Sequence, residues 1–328
     1  MKLDFSIIIP IKEQNIYLKK NIEKILSIKT NKNFEILVVP NYKFSHKYSS
    51  KIVKIISSGK VGPAKKRDLA AKIAKGNLLV FLDDDSFPEK NYLEVAHNIF
   101  KKNKDLVAAG GPGILPKDQN FFGRVLGSIF ISKIAGGYPE RYLSVKKKKV
   151  FFTDDWPSVN MIIKKKFFIK IGGFDCNYWP GEDTILGLKI LNNHKKILYA
   201  PDLIVNHYRR GDLLSHIKQI SAYAKMRGYF VKKYKKNSLK INYFIPSIFF
   251  IYLMFLLISL LFIYNNLFLI PLCMYGFYLL ASLIEISFKQ NLIFGVLSIP
   301  IIIITHIVYG FNFIKGLFTV KDPKPKLR

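Results

Sequence analysis

Phe5–Pro10 (FSIIIP) is a short β-branched run that stops at a turn-forming residue, the pattern of a buried strand. From Asn15 to Ile28 the apolar positions fall at 16, 18, 22, 25, 26 and 28, which is amphipathic helical spacing. Phe34–Val39 (FEILVV), closed by Pro40, and Ile52–Ile56 predict two more strands. Pro63–Ala74 predicts a helix with proline at a permitted first-turn position. A strand at Asn77–Leu82, a helix at Pro88–Phe100 and a strand at Leu106–Ala109 follow. Strand and helix alternate with short links, which predicts an α/β fold, Rossmann-like, with a mostly parallel sheet and helices on both faces. From Gly110 to Tyr208 the rhythm loosens and glycines, prolines and aromatics accumulate, as expected of a substrate-facing half built from loops.

The pattern changes again near residue 240. Residues 241–264 are uncharged, 267–288 carry only Glu285, and 292–314 carry His306 and no formal charge. Each stretch reaches the roughly 20 residues a bilayer-spanning helix needs. The expected domains are therefore a soluble body, 1–240, and a membrane region, 241–328. Lys315, Lys321, Lys324, Lys326 and Arg328 follow or end the third stretch, and Pro300 interrupts it. Three full spans would place those cations opposite a cytoplasmic body, against the positive-inside tendency. Three spans, and two spans with an interfacial segment, both stay open.

Charge sharpens this division. Residues 1–240 hold 46 Lys/Arg against 20 Asp/Glu, so +26 of the total +30 lies in the soluble body. Such a charge calls for a polyanionic partner, nucleic acid or an anionic leaflet. Apolar spans in the same chain make the leaflet the simpler partner, and no nucleic acid is expected. Lys146–Lys149 is read as a solvated loop. Cys176 and Cys273 give neither a disulfide framework nor metal-ligand spacing, which suits a reducing compartment. No long apolar leader is expected ahead of the first strand.

The candidate chemistry begins at Asp83-Asp84-Asp85, where the apolar run Leu78–Leu82 ends in acid. In open α/β sheets that edge is where ligands bind. Carboxylates one residue apart can share a hard divalent cation, which can hold a diphosphate; a solvated acidic turn has the same sequence. Lys65, Lys66 and Arg67 sit where a helix N-terminus would welcome phosphate, or else form a wet helix face. Gly172-Gly173-Phe174-Asp175 reads as a turn. Tyr178 and Trp179 can stack on a sugar ring or pack in the core. Glu182-Asp183 offers a general base or an acidic helix start. His207 can ligate metal or be structural, and the Arg209 and Arg210 forks suit a diphosphate.

Five segments, FSIIIPIKEQN, GPAKKRDLAAKIAKGNLLVFLDDDSFP, VNMIIKKKFFIKIGGFD, WPGEDTILG and YAPDLIVNHYRR, stand in the order found in family 2 glycosyltransferases with a GT-A fold. Residues 5–230 resemble that family. The resemblance implies inverting transfer of a sugar from a nucleotide-sugar donor. It implies Mg²⁺ or Mn²⁺ on Asp83 and Asp85, with His207 as a third ligand and Asp84 on the donor ribose or sugar. Pro10, Lys66, Arg67, Arg209 and Arg210 would bind the donor, and Tyr178 and Trp179 the acceptor. Asp183 would be the base, with Glu182 in reserve. The Gln-x-x-Arg-Trp run of processive synthases is absent at Gln219–Tyr223, which argues for single addition. The acid that follows the second strand in the family is replaced by Asn41.

These readings together give a multi-pass cell-membrane enzyme with its catalytic domain in the cytoplasm, where nucleotide sugars are made. Its acceptor would be a lipid-linked or other glycan, in cell-surface polysaccharide or glycolipid synthesis. Direct transfer to polyprenyl phosphate shares the same motifs. A non-catalytic basic membrane adaptor would explain the charge but leave the acid triplet and Glu182-Asp183 without a purpose.

Overall fold

The structure is a computed structural model that describes residues 3–45, 50–143, 150–262 and 265–321. The lysine run 146–149 and Lys324, Lys326 and Arg328 lie outside them. In chain order come β1 (Leu3–Pro10), α1 (Ile16–Leu26), β2 (Phe34–Val39), β3 (Val53–Ile55), α2 (Pro63–Ile73), β4 (Gly76–Leu82), β5 (Ser86–Pro88) and α3 (Tyr92–Lys102). Next are β6 (Ala108–Gly110), β7 (Gly113–Ile114), α4 (Phe121–Ile131), α5 (Lys133–Gly136), β8 (Phe151–Thr153), β9 (Asn160–Lys164) and α6 (Lys165–Lys170). Then follow α7 (Glu182–Asn192), β10 (Ile197–Tyr199), β11 (Val205–His207), α8 (Leu213–Lys233) and α9 (Lys235–Ser238). The last three are α10 (Ile245–Phe262), α11 (Ile270–Lys289) and α12 (Leu292–Thr319).

The chain divides into two compact units, Met1–Pro116 with Leu143–Tyr208, and Lys117–Tyr142 with Arg209–Asp322. The compositional boundary at residue 240 falls inside the second.

The first unit is built on an eight-stranded sheet in the order β3-β2-β1-β4-β9-β6-β10-β8. β3, β2, β1 and β4 run parallel, as do β6 and β10. β9 lies antiparallel between β4 and β6, and β8 is antiparallel on the β10 edge. β1 and β4 are apolar on both faces because both faces are covered. Ile7 and Ile9 pack with Leu18 and Ile22 of α1 and Leu93 of α3. Ile8 points the other way, to Ala70 of α2, Phe168 of α6 and Leu186 of α7.

One expectation shifts. The helix expected from Pro88 starts at Tyr92, because Ser86–Pro88 is used as β5. The three-residue β11 joins β5 and β7 in a second sheet of order β5-β11-β7.

The second unit is helical. Ile241–Phe262, Asn266–Lys289 and Leu292–Thr319 are long and apolar enough to cross a membrane. α8 is capped by Asp212, whose carboxylate accepts from the Ser215 amide at 2.8 Å. Gly228 of α8 and Gly316 of α12 let the two helices meet backbone to backbone: a Cβ at either would strike the other's main chain.

Candidate active site at the sheet edge

β4 carries its chain straight to Asp83 at the C-terminal edge of the sheet, beside the end of β1 at Pro10. The acid turn is then held from three sides. Ser86 Oγ accepts from the Asp83 amide and donates to the Asp83 carbonyl, both at 3.0 Å. Asn21 of α1 donates to that carbonyl at 2.9 Å. Asn15 caps α1 through the Leu18 amide, and its amide nitrogen donates to Asp84 Oδ2 at 2.5 Å.

The small sheet completes the cluster. Its register sets His207 opposite Ser86, one residue past Asp85. His207 Nε2 then lies 3.4 Å from Asp85 Oδ1. Ligand atoms of Asp83, Asp85 and His207 all fall within 4.8 Å of one another. Two carboxylates and one imidazole converging so closely fit a divalent cation. Burial, with Asp85 beside it, pushes the Asp84 carboxyl up to about 6, so this turn carries more negative charge than it can comfortably hold.

Arg67 links the turn to the second acidic pair. Its two terminal nitrogens donate to Asp83 Oδ1 at 2.7 Å and to Glu182 Oε1 at 3.1 Å, and the guanidinium lies 5.5 Å from the Phe174 ring centre. Arg67 and Lys66 are each only 2 % exposed, so they are not a wet helix face. Burial works against the Arg67 charge, but Asp83, Glu182 and Asp183 more than offset it. The Lys66 amine donates to the Ile11 carbonyl at the end of β1.

Glu182 and Asp183 open α7 behind Gly181, whose φ of 119° is one a side chain rarely tolerates. The glycine turn before it is also as expected: Gly172 and Gly173 take φ of 75° and 59°. Asp68 holds that turn by accepting from the Phe174 and Asp175 amides at 2.9 Å each. Burial raises the Glu182 carboxyl, and burial with Glu182 alongside pushes Asp183 up to about 8. Asp183 bonds Ser158, while its Oδ1 is enclosed and has no hydrogen-bond partner. Tyr178 and Trp179 are half-buried in the loop just before.

Arg209 and Arg210 begin the second unit. There Arg209 lies 4.6 Å from the Tyr142 ring and 5.5 Å from Phe130, and its amide donates to Gln119 Oε1 at 2.7 Å. Asn21, Ser86 and Ser158 were not singled out from the sequence, because their roles depend on partners 62, 3 and 25 positions away.

Residues 6–167 match the family described as Glycosyl transferase family 2. The match spans 162 of the chain's 328 residues. The chain is 28 % identical over 193 residues to an uncharacterised glycosyltransferase of Haemophilus influenzae, covering 57 % of this chain and 61 % of that one. Among solved structures it resembles the mannosyltransferase PcManGT from Pyrobaculum calidifontis, in complex with GDP-Man and Mn²⁺. The TM-score is 0.57 at 13 % identity, over 97 % of this chain and 88 % of that one. It also resembles GalNAc-T7 with UDP, GalNAc and Mn²⁺, at a TM-score of 0.50 and 17 % identity, over 75 % of this chain and 50 % of that one. The chain thus has a GT-A-like α/β fold with a mostly parallel central sheet, followed by three apolar helices.

Proposed function

We propose that the transferase is membrane-held and moves a sugar from a nucleoside-diphosphate donor to a lipid-linked or glycan acceptor, with inversion and one addition at a time. The observation that carries this reading is the meeting of Asp83, Asp85 and His207 at the sheet edge, joined through Arg67 to Glu182. Asp83, Asp85 and His207 would hold Mn²⁺ or Mg²⁺, which supplies positive charge for the departing diphosphate. That the two structural neighbours were solved with Mn²⁺ and a nucleotide supports the same assignment.

The chain's own groups divide the remaining work. Arg67 fixes Asp83 and engages Glu182, leaving Asp183 Oδ1 as the carboxylate oxygen with a vacant lone pair. The acceptor oxygen bonds to the anomeric carbon from the face opposite the diphosphate while the bond to the diphosphate oxygen breaks, and the acceptor proton passes to Asp183. A raised basicity suits that step, since a base with an ordinary aspartate pKa would hold a proton weakly. The half-buried Tyr178 and Trp179 precede the base and suit the acceptor sugar. The cytoplasmic catalytic domain and the anionic leaflet rest on the +26 charge of residues 1–240 beside three apolar helices.

The test is release of nucleoside diphosphate from a panel of nucleotide sugars, with Mn²⁺, with Mg²⁺ and with chelator, in membranes that contain acceptor. Metal-dependent turnover of one donor supports the proposal; no turnover with any donor, or turnover unaffected by chelator, counts against it.

A further inference from the structure

His207 is the last residue of β11, a strand of only three residues. The ends of short elements open most easily. A functional side chain needs its place held to within about 0.5 Å by the groups around it. The residue that follows supplies such a hold. The Tyr208 amide donates to the Asp85 carbonyl at 3.1 Å, so the neighbour of one candidate ligand is tied by its backbone to the other.

The Tyr208 side chain is gripped in turn, all within the first unit. Its ring centre lies 4.9 Å from that of Tyr17 and 6.2 Å from that of Phe87. Phe87 belongs to β5, the strand whose pairing sets the register of His207. The Tyr208 hydroxyl accepts from the Lys20 amine at 2.5 Å, and the Phe87 ring centre is 5.9 Å from that amine.

α1 is the common support. Leu18, Ile22 and Ile25 anchor one face of it in the core. Tyr17, Lys20 and Asn21, at three- and four-residue steps, share another. Asn21 donates to the Asp83 carbonyl, and Asn15, the N-cap, donates to Asp84. One rigid helix therefore touches the acid turn directly and reaches the histidine segment through Lys20 and Tyr208.

We infer that Lys20 and Tyr208 are positioning residues whose pairing keeps His207 beside Asp85, a role that rests on the metal assignment made for Asp83, Asp85 and His207. Lys20 acts here as a donor and spacer rather than as a charge. The two roles differ in sign: removing a positive charge near a cation site would by itself tighten metal binding, whereas releasing the histidine weakens it.

The test is Mn²⁺ titration of the full-length protein in detergent, followed by electron paramagnetic resonance. The signal of free Mn²⁺ reads affinity, and nitrogen coupling on the bound ion reads whether an imidazole ligates it. Lys20→Met should weaken Mn²⁺ binding about 10–100-fold and diminish the nitrogen coupling, with the melting temperature of the metal-free protein little changed. Tyr208→Phe, which removes only the hydroxyl, should do the same. The double variant should bind no more weakly than either single one, because both break one contact. Unchanged or tighter Mn²⁺ binding in Lys20→Met would overturn the inference, as would losses that simply add in the double variant. Should Lys20→Met melt far lower than wild type, the same two readings on Tyr208→Phe decide. A wild type that binds no Mn²⁺, or binds it as tightly after His207→Ala, would overturn the metal assignment itself and this inference with it.

Discussion

The two units treat buried charge in opposite ways. In the helical unit, the Glu285 carboxylate is fully engaged: it accepts from Ser132 Oγ and from the Lys133 and Ile134 amides, with Lys289 at 2.6 Å. Nothing is left over for a ligand. At the sheet edge, Asp83, Glu182 and Asp183 share one arginine, Asp84 and Asp183 are pushed far up by burial, and Asp183 keeps an oxygen without a partner. Satisfied charge holds a helix in place; unsatisfied charge is a demand for something that binds.

Removing the unsatisfied base gives the largest expected effect. Asp183→Asn keeps the shape and should lower transfer about 10²–10⁴-fold with donor binding little changed. Glu182→Gln should cost less, because Glu182 already serves Arg67. Steady-state transfer with donor affinity measured in parallel checks both, and a larger loss in Glu182→Gln would move the base by one residue.

Arg67→Lys comes next. A lysine keeps the charge but not the fork that bridges Asp83 and Glu182. Metal affinity should fall about 10–100-fold, the usual cost of losing a partner of a metal ligand. Unchanged metal affinity with weakened donor binding would instead make Arg67 a donor contact, the role implied by family resemblance.

A pH effect is smaller. Asp183 must be ionised to act, and its carboxyl is pushed up to about 8, so transfer should rise as pH climbs towards that value. The folded state favours the protonated acid. Its contribution to stability is therefore full below the ordinary carboxylate range and is lost as pH rises through about 8. Asp183→Asn should abolish that acid limb of activity and flatten the fall of melting temperature over the same window.

The smallest effect on chemistry belongs to the satisfied charge. Glu285→Gln should cost about 1–3 kcal/mol of stability while transfer per folded molecule stays within about 2-fold of wild type. A collapse of transfer in a variant that still melts normally would break the contrast between the two units.

The sheet domain was legible where a run of the chain decides its own structure. β1, β2, α2 and β4 are long apolar or periodic segments, and the acid edge follows from where β4 stops. β5, β7, β8 and β11 are two or three residues each and exist only because distant partners pair with them. His207 was named from the sequence as a candidate ligand, but its closeness to Asp85 depends on the register of β11 against β5. Arg67 could be picked out but not its bridge, since Asp83 and Glu182 lie 16 and 115 positions away. The same limit hid the pairing of α8 with α12: hydropathy sees length and composition, whereas the pairing rests on Gly228 and Gly316.

The central claim is that the sheet edge holds a diphosphate through a divalent cation on Asp83, Asp85 and His207. Calorimetric titration of UDP and GDP into the purified protein, with and without Mn²⁺, tests it without needing the acceptor. The account predicts that one of the two binds the wild type only when Mn²⁺ is present, and that Asp85→Asn, still folded, loses that binding. Nucleotide binding of equal strength with and without Mn²⁺, in both proteins, would contradict it.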